Sequence, residues 1–337
     1  MLFRSRRGRN TFGCSFGIKD DYSLWAWGSG KEGQQGNSND TTNYSSPVQV
    51  GSLTNWKAAM NGRYFSSFLK TDGTIWNVGE GSRGQMGEGG ISTRHSPVQA
   101  GSATDWVNHT IGGRAVFAIN TSGELWAWGN IDMADYYITC DPIQLGSATD
   151  WASVNGNVVG GSTIWATKTT GKIYTWGQNY HGQLGHDNTT RIFVGPGFAD
   201  PGAAGQQVGS LTDWGTSQVQ YAVAFGGENQ RGALKADGTI WGCGENGSGE
   251  LGDGTTTNRS SPVQMGDSSD WTKVHGSYRG RLAINSSGEL WGWGQNSGGR
   301  LGDGTSTNRS SPVQIGSDTT WTTARCGGSG ALALKSG

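Results

Sequence analysis

The chain has 337 residues, of which 60 are glycine and 16 tryptophan, and its formal net charge is −1. Glycine at more than twice its usual share, with aromatics retained, excludes an ordinary helical domain and a disordered segment. Collagen is excluded too, because glycine does not recur at every third residue and there are only 7 prolines. The near-zero charge offers no general attraction to nucleic acid or to a membrane surface, and no apolar run approaches the ~18 residues of a spanning helix.

The N-terminal segment carries Arg4, Arg6, Arg7 and Arg9 with no acid before Asp20. No apolar core follows it, so it does not read as a secretory signal. It reads either as a solvated edge that discourages strand-to-strand aggregation or as an arm for an acidic partner or nucleic acid, with Arg4, Arg6 and Arg7 as the contacts.

Beyond it one unit of roughly 50 residues recurs. Residues 251–264 read LGDGTTTNRSSPVQ and residues 301–314 read LGDGTSTNRSSPVQ, thirteen of fourteen identical. In chain order each unit shows a short apolar stretch such as Phe68-Leu69-Lys70 or Ala233-Leu234-Lys235, then an Asp-Gly or Ser-Gly turn. A Trp-x-Trp-Gly strand or its relative follows, with the glycine at 28, 79, 129, 177, 244 and 294. Next come a Gly-rich turn such as Gly182-Gln183-Leu184-Gly185, a Ser-Pro-Val-Gln segment, and a tryptophan at 56, 106, 151, 214, 271 or 321 that opens the next strand. The alternation in Leu125-Trp126-Ala127-Trp128 has the period of a strand with two distinct faces. Asp-Gly between two such runs is a hairpin signal, because glycine takes positive φ at little steric cost.

Each unit therefore holds about four short antiparallel strands, one propeller blade. The apolar stretch ahead of the turn occurs seven times, which predicts an all-β propeller of seven four-stranded blades spanning 1–337 as one domain; six blades with a surplus strand is the alternative. The first blade is expected to lack its Ser-Pro-Val-Gln strand and the last its Trp-x-Trp strand. The N- and C-terminal strands are expected to close the ring. The tryptophans read as filler between blades, each worth roughly 4–6 kcal/mol gross for the area it removes from water.

Two segments depart from the unit. Residues 130–140 replace the Gly-Gln-Leu-Gly turn with apolar and aromatic residues, including Tyr136 and Tyr137. The interval from Gly177 to Gly244 is 67 residues long, and its extra length includes 191–207 with Phe193 and Phe198. Loops on a rigid scaffold carry function, so Tyr136, Tyr137, Phe193 and Phe198 are the candidate partner contacts.

Catalytic chemistry is not indicated. His95, His109, His181, His186 and His275 are scattered, and His181 and His186 have a spacing that suits neither a strand nor a helix face. Cys14, Cys140, Cys243 and Cys326 form no CxxC pair and read as reduced and structural. Asp253-Gly254 and Asp303-Gly304 read as turns, since no further carboxylates follow at calcium-ligand spacing. Metal, catalytic and cofactor residues are all expected to be none.

Gly177-Gln178-Asn179-Tyr180-His181-Gly182-Gln183-Leu184-Gly185 and the Ala-Leu-Lys-x-Asp-Gly-x-Ile-Trp of 233–241 resemble the signature of the regulator-of-chromosome-condensation repeat. The resemblance runs from about residue 10 to Gly337 and implies a seven-bladed propeller. The family includes a small-GTPase exchange factor that also binds nucleosomes, secreted inhibitors, and components of bacteria and their viruses. Fold therefore leaves function open. The uniform Thr-Thr-Asn-Arg-Ser-Ser-Pro-Val-Gln phrasing is closest in style to the bacterial and bacteriophage members. The expectation is a non-enzymatic structural or adhesion propeller in a large assembly, a bacteriophage virion first, with the cytoplasm as the setting otherwise. Its partners would be other proteins of that assembly or a host-surface glycan rather than nucleic acid or membrane. A regulatory binding module, such as an exchange factor or protein inhibitor, and a glycan-binding propeller are the alternatives.

Overall fold

A computed structural model describes residues 14–38, 42–62, 64–131, 137–156, 163–192, 206–208, 225–226, 229–276, 279–326 and 331–336. The chain divides into two compact units, Met1–Val158 with Phe193–Ala204, and Val159–Ile192 with Gly205–Gly337.

In the first unit, β1 (Cys14–Ile18), β2 (Leu24–Gly28) and β3 (Tyr44–Gln49) form one antiparallel sheet. A second holds β4 (Trp56–Asn61), β5 (Phe65–Lys70), β6 (Ile75–Gly79) and β7 (Arg94–Gln99) in that order. A third holds β8 (Trp106–Gly112), β9 (Ala115–Asn120), β10 (Leu125–Asn130) and β11 (Ile138–Gln144). β12 (Trp151–Gly156) packs beside β8, with the Gly156 N–H donating to Thr110 Oγ1 at 2.8 Å.

In the second unit, β13 (Thr163–Lys168) pairs with β14 (Ile173–Gly177), and β14 with β15 (Gln206–Gln207). β16 (Phe225–Gly226), β17 (Gln230–Leu234), β18 (Ile240–Gly244) and β19 (Arg259–Gln264) follow as one sheet. β20 (Trp271–Gly276), β21 (Gly280–Asn285), β22 (Leu290–Gly294) and β23 (Arg309–Gln314) make the next, and β24 (Trp321–Cys326) pairs with β25 (Ala331–Lys335). The described strands thus fall into seven sheets, the number that the repeat count predicts. Leu24–Trp27, expected to close the ring with Ala331–Lys335, lies in β2, which pairs with β1 and β3, and β25 pairs with β24. The strand expected at Trp214 lies outside the described residues.

The grouping of strands corrects one expectation. Each Ser-Pro-Val-Gln strand pairs with the Trp-x-Trp strand before it, as in Trp25↔Gln49 and Trp291↔Gln314. The first sheet therefore possesses its Ser-Pro-Val-Gln strand, β3. The last sheet has neither a Trp-x-Trp nor a Ser-Pro-Val-Gln strand among the described residues. The physical cause is a bulge. The register slips between Asn77 and Gly79, and between Gly292 and Gly294. Gly79 sits at φ +110°, where a Cβ would lie 2.5 Å from the Tyr64 carbonyl oxygen. Only glycine turns the strand there, so the chain leaves for the Gly-rich turn and returns as the outer strand.

Successive sheets interlock through that turn. Within the first unit the Ser38 N–H donates to the His95 carbonyl and the Gly89 N–H to the Cys140 carbonyl, each at 3.0 Å. Within the second, Asp187 donates to Ser260 at 3.0 Å and Gly254 to Ser310 at 2.8 Å. Inside the turns a buried side chain holds the backbone. Gln85 accepts from the Arg83 N–H, Gln183 from His181, and Glu250 from Ser248.

The core lies between sheets, with Phe65, Met86, Trp106 and Trp128 in one cluster and Ile240, Leu251, Trp271 and Trp293 in another. Trp106 meets Trp126 edge-on at 5.9 Å between ring centroids, and Trp271 meets Trp291 edge-on at 6.0 Å. The tryptophans are not all filler, however. The second Trp of the motif is fully buried at Trp128, Trp176 and Trp293, whereas the first, at Trp25, Trp76, Trp126, Trp241 and Trp291, is half-buried. Period-two alternation sends the two rings of Trp-x-Trp the same way. The preceding sheet covers the second, with Met86 and Ala100 against Trp128 and Leu251 and Met265 against Trp293, while the first stays half-buried.

Candidate interaction surfaces

Among the described residues no group of three or more His, Cys, Asp or Glu is placed to hold a metal ion. The histidines are engaged structurally. His109 Nε2 lies 3.4 Å from the Ser67 carbonyl, His186 Nε2 lies 2.8 Å from Thr175 Oγ1, and His275 Nδ1 accepts from the Cys326 N–H at 3.1 Å. Burial pushes the Cys14 and Cys243 thiols up to about 12, which suppresses a nucleophilic thiolate.

The Asp-Gly turns are saturated by the protein's own donors. Asp253 accepts from Asn246 Nδ2, from the N–H and hydroxyl of Thr255, and from Arg259 Nε. Asp303 repeats the set with Asn296, Thr305 and Arg309. Burial pushes the Asp303 carboxyl up, but these hydrogen bonds and the guanidinium outweigh it and hold the group at about 2.

A second polar system sits at each hairpin on the face of the half-buried tryptophan. Asp72 Oδ1 accepts from the Thr74 N–H and hydroxyl, Thr74 Oγ1 accepts from Trp76 Nε1, and Lys70 Nζ stands 3.6 Å from the Trp76 ring centroid. The same relay runs through Asp21, Ser23 and Trp25 under Lys19, and through Asp237, Thr239 and Trp241 under Lys235. Two hairpins use a different set. Asn120 and Glu124 bond each other, and Glu124 accepts from Trp126 Nε1; Asn285, Glu289 and Trp291 repeat this. The strand position that holds lysine over the ring elsewhere is there asparagine. The alternation is visible in the sequence as Lys-x-Asp-Gly-Thr-x-Trp against Asn-x-Ser-Gly-Glu-x-Trp, but it signifies nothing until the hairpin register is known.

Of the candidate contacts, Tyr137 is described, and Tyr136, Phe193, Phe198, Arg4, Arg6 and Arg7 lie outside the described residues. Tyr137 is half-buried, its carbonyl accepts from the Ile131 N–H at 3.2 Å, and it leads directly into β11. Beside it Ile138 is exposed. Sequence reasoning did not single out Tyr180, which stands exposed on the Gly-Gln-Leu-Gly turn with its hydroxyl 3.3 Å from Arg191 Nη1. It lies within the signature stretch, at a position where the other repeats carry Lys31, Ser82, Gly247 and Ser297.

Three stretches, residues 170–212, 237–284 and 287–334, match the regulator of chromosome condensation (RCC1) repeat. These three stretches are RCC1 repeats. No curated protein matches it. Among solved structures, human WBSCR16 is similar at 20% identity and a TM-score of 0.73, over 97% of this chain and 86% of that one. Prp20p of Saccharomyces cerevisiae is similar at 16% identity and a TM-score of 0.75, over 98% and 82%. Yeast RCC1 (Prp20) bound to Kap60 is similar at 17% identity and a TM-score of 0.74, over 98% and 80%. At these identities the likeness establishes the fold, the β-propeller of RCC1 repeats, which suits an interaction module. No helix among the described residues is long and apolar enough to cross a membrane.

Proposed function

We propose that this RCC1-repeat chain is a non-enzymatic binding propeller whose partner is another protein. The observation that carries the reading is the break in the repeat. Near-identical turns present the same chemistry again and again and cannot single out one partner orientation. The departures at 130–140 and 191–207 can, and Tyr137 with the exposed Ile138 opens an aromatic and apolar patch at the first of them. The similar Prp20p has been described with its binding properties to Gsp1p and histones, and a second structure holds it with Kap60, which supports a protein partner here.

The setting we favour is a large assembly, with a bacteriophage virion first, on the near-verbatim Thr-Thr-Asn-Arg-Ser-Ser-Pro-Val-Gln phrasing. A second reading, exchange factor for a small GTPase, has the family resemblance behind it. Hydrogen exchange on the native assembly tests the first: protection concentrated at 130–140 and 191–207 supports it, and protection spread evenly over the regular turns refutes it. A nucleotide-release assay with a small GTPase tests the second, and unaltered release removes it.

A further inference from the structure

The second unit holds an open cavity of about 540 Å³ whose lining includes Trp271, Trp291, Asn285, Asp253, Asp267 and Asp270. Its tryptophan, Trp291, is the first Trp of its motif, half-buried, and Asn285 occupies the strand position before the turn. The register fixes what that position does. Trp271 pairs with Asn285 as Trp56 pairs with Lys70 and Trp321 with Lys335. In the sister hairpin Lys70 Nζ lies 3.6 Å from the Trp76 centroid and 4.9 Å from that of Trp56, so one ammonium serves both rings. Lys19 over Trp25 and Lys335 over Trp321 each cover one ring of the same kind. The repeat thus displays, in its own structure, the ligand that this pair of rings accepts. At Trp271 and Trp291 the chain does not supply it: Asn285 Nδ2 is turned to Glu289 Oε2 at 2.7 Å instead.

The charges around the cavity fit the same ligand. Asp253 is already paired with Arg259 at 2.7 Å. Asp270 accepts from Ser268 Oγ and from Ser286 Oγ, which are neutral donors. Asp267 is exposed on the turn between β19 and β20. Neither Asp267 nor Asp270 has an ion pair among the described residues. At the other asparagine hairpin, Trp126, the aligned turn reads Gly101-Ser102-Ala103-Thr104-Asp105 against Gly266-Asp267-Ser268-Ser269-Asp270. Only the Trp291 site therefore has an extra carboxylate where its sister has serine.

We propose that this cavity receives the ammonium of a lysine side chain carried by a partner polypeptide, seated over Trp291 and Trp271 where the sister repeats seat their own lysine, with Asp267 and Asp270 as counter-charges. A ring face attracts a cation through its quadrupole, and nearby carboxylates add an attraction that salt screens. The site belongs to the regular repeats, so it is independent of the contact surface at 130–140 and 191–207, and either can fail without the other.

The test is titration of the isotope-labelled full chain with acetyl-Gly-Lys-Gly-amide, read at the Trp291 indole N–H, which the Trp291→Phe variant assigns. The same peptide with its lysine acetylated is the neutral control. A saturable shift with the lysine peptide, absent with the acetylated one and weakened by salt, is expected. Asn285→Lys, which installs the sister residue, should abolish it. Asp267→Ser, which installs the serine of the Trp126 hairpin at an exposed position, should weaken binding about five-fold, the factor that about 1 kcal/mol represents. Thermal unfolding of both variants at or above the wild-type temperature excludes misfolding. No shift with the lysine peptide, equal shifts with both peptides, binding that survives Asn285→Lys, or a response to N-acetylglucosamine in place of lysine would each overturn the proposal.

Discussion

Two glycines with nearly the same backbone conformation separate local strain from the cost of docking one sheet on the next. Gly304 sits at φ +80° with nothing within 4 Å of the position a Cβ would take. Gly288 sits at φ +76°, but there a Cβ would lie 2.2 Å from the Thr319 carbonyl oxygen. Alanine at Gly304 bears only the left-handed strain, roughly 1–2 kcal/mol. Alanine at Gly288 bears the same strain and must also move the Thr319 backbone by about 1 Å to reach an ordinary carbon–oxygen contact. That segment leads into β24, and the Trp321 N–H donates to the Gly288 carbonyl at 3.1 Å. Its loss adds about 1 kcal/mol, and loosened packing of Trp321 and Ala324 on Leu282 and Ile284 adds more. The expected total is roughly 3–5 kcal/mol for Gly288→Ala. Because a chain of repeats need not unfold in one step, amide hydrogen exchange in β24 and β25 is the better assay, with urea unfolding alongside. Gly288→Ala should accelerate exchange there, and Gly304→Ala should leave it near wild type. Equal effects of the two substitutions would refute the inter-sheet contact as the reason for glycine.

Trp293→Ala should cost roughly 3–5 kcal/mol, since its ring is fully buried, while Trp291→Ala at the rim should cost distinctly less; urea midpoints compare them, and equal losses would contradict the division of the motif into core and rim. The Asp303 carboxyl, held at about 2 against an ordinary value near 3.8, contributes stability that is fully present above about pH 4 and is lost as pH falls toward 2. Asp303→Asn should therefore flatten the acid side of the unfolding curve in that window and leave its shape near neutrality unchanged. Lys70→Asn should lower stability more than Lys57→Asn: Lys70 is 5% exposed over two tryptophan rings, while Lys57 is exposed. Thermal unfolding at low and high salt would check this. Tyr137→Ala should leave the fold intact and reduce binding of the native partner, read as a rise in Kd.

The strands, their order and the number of sheets were legible in the amino-acid sequence, because period-two alternation, Asp-Gly turns and a unit of fixed length are local signals. Trp-x-Trp-Gly marks a strand that ends in a bulge wherever it stands, and the glycine at the end is required by the backbone itself. Three matters were settled only in three dimensions. The Ser-Pro-Val-Gln strand joins the sheet before it, since the bulge at Gly79 or Gly294 sends the chain out and back to the same edge. The tryptophans at 126 and 128, and at 291 and 293, are buried unequally, since burial depends on how far the preceding sheet reaches, and neighbouring letters carry no record of that. The pairing of lysine or asparagine with a ring six residues away depends on hairpin register, which places Lys70 and Trp76 diagonally across the turn. A periodic sequence repeats its local instructions, but contact between one repeat and the next is a property of the folded chain, and there Trp291 differs from Trp76.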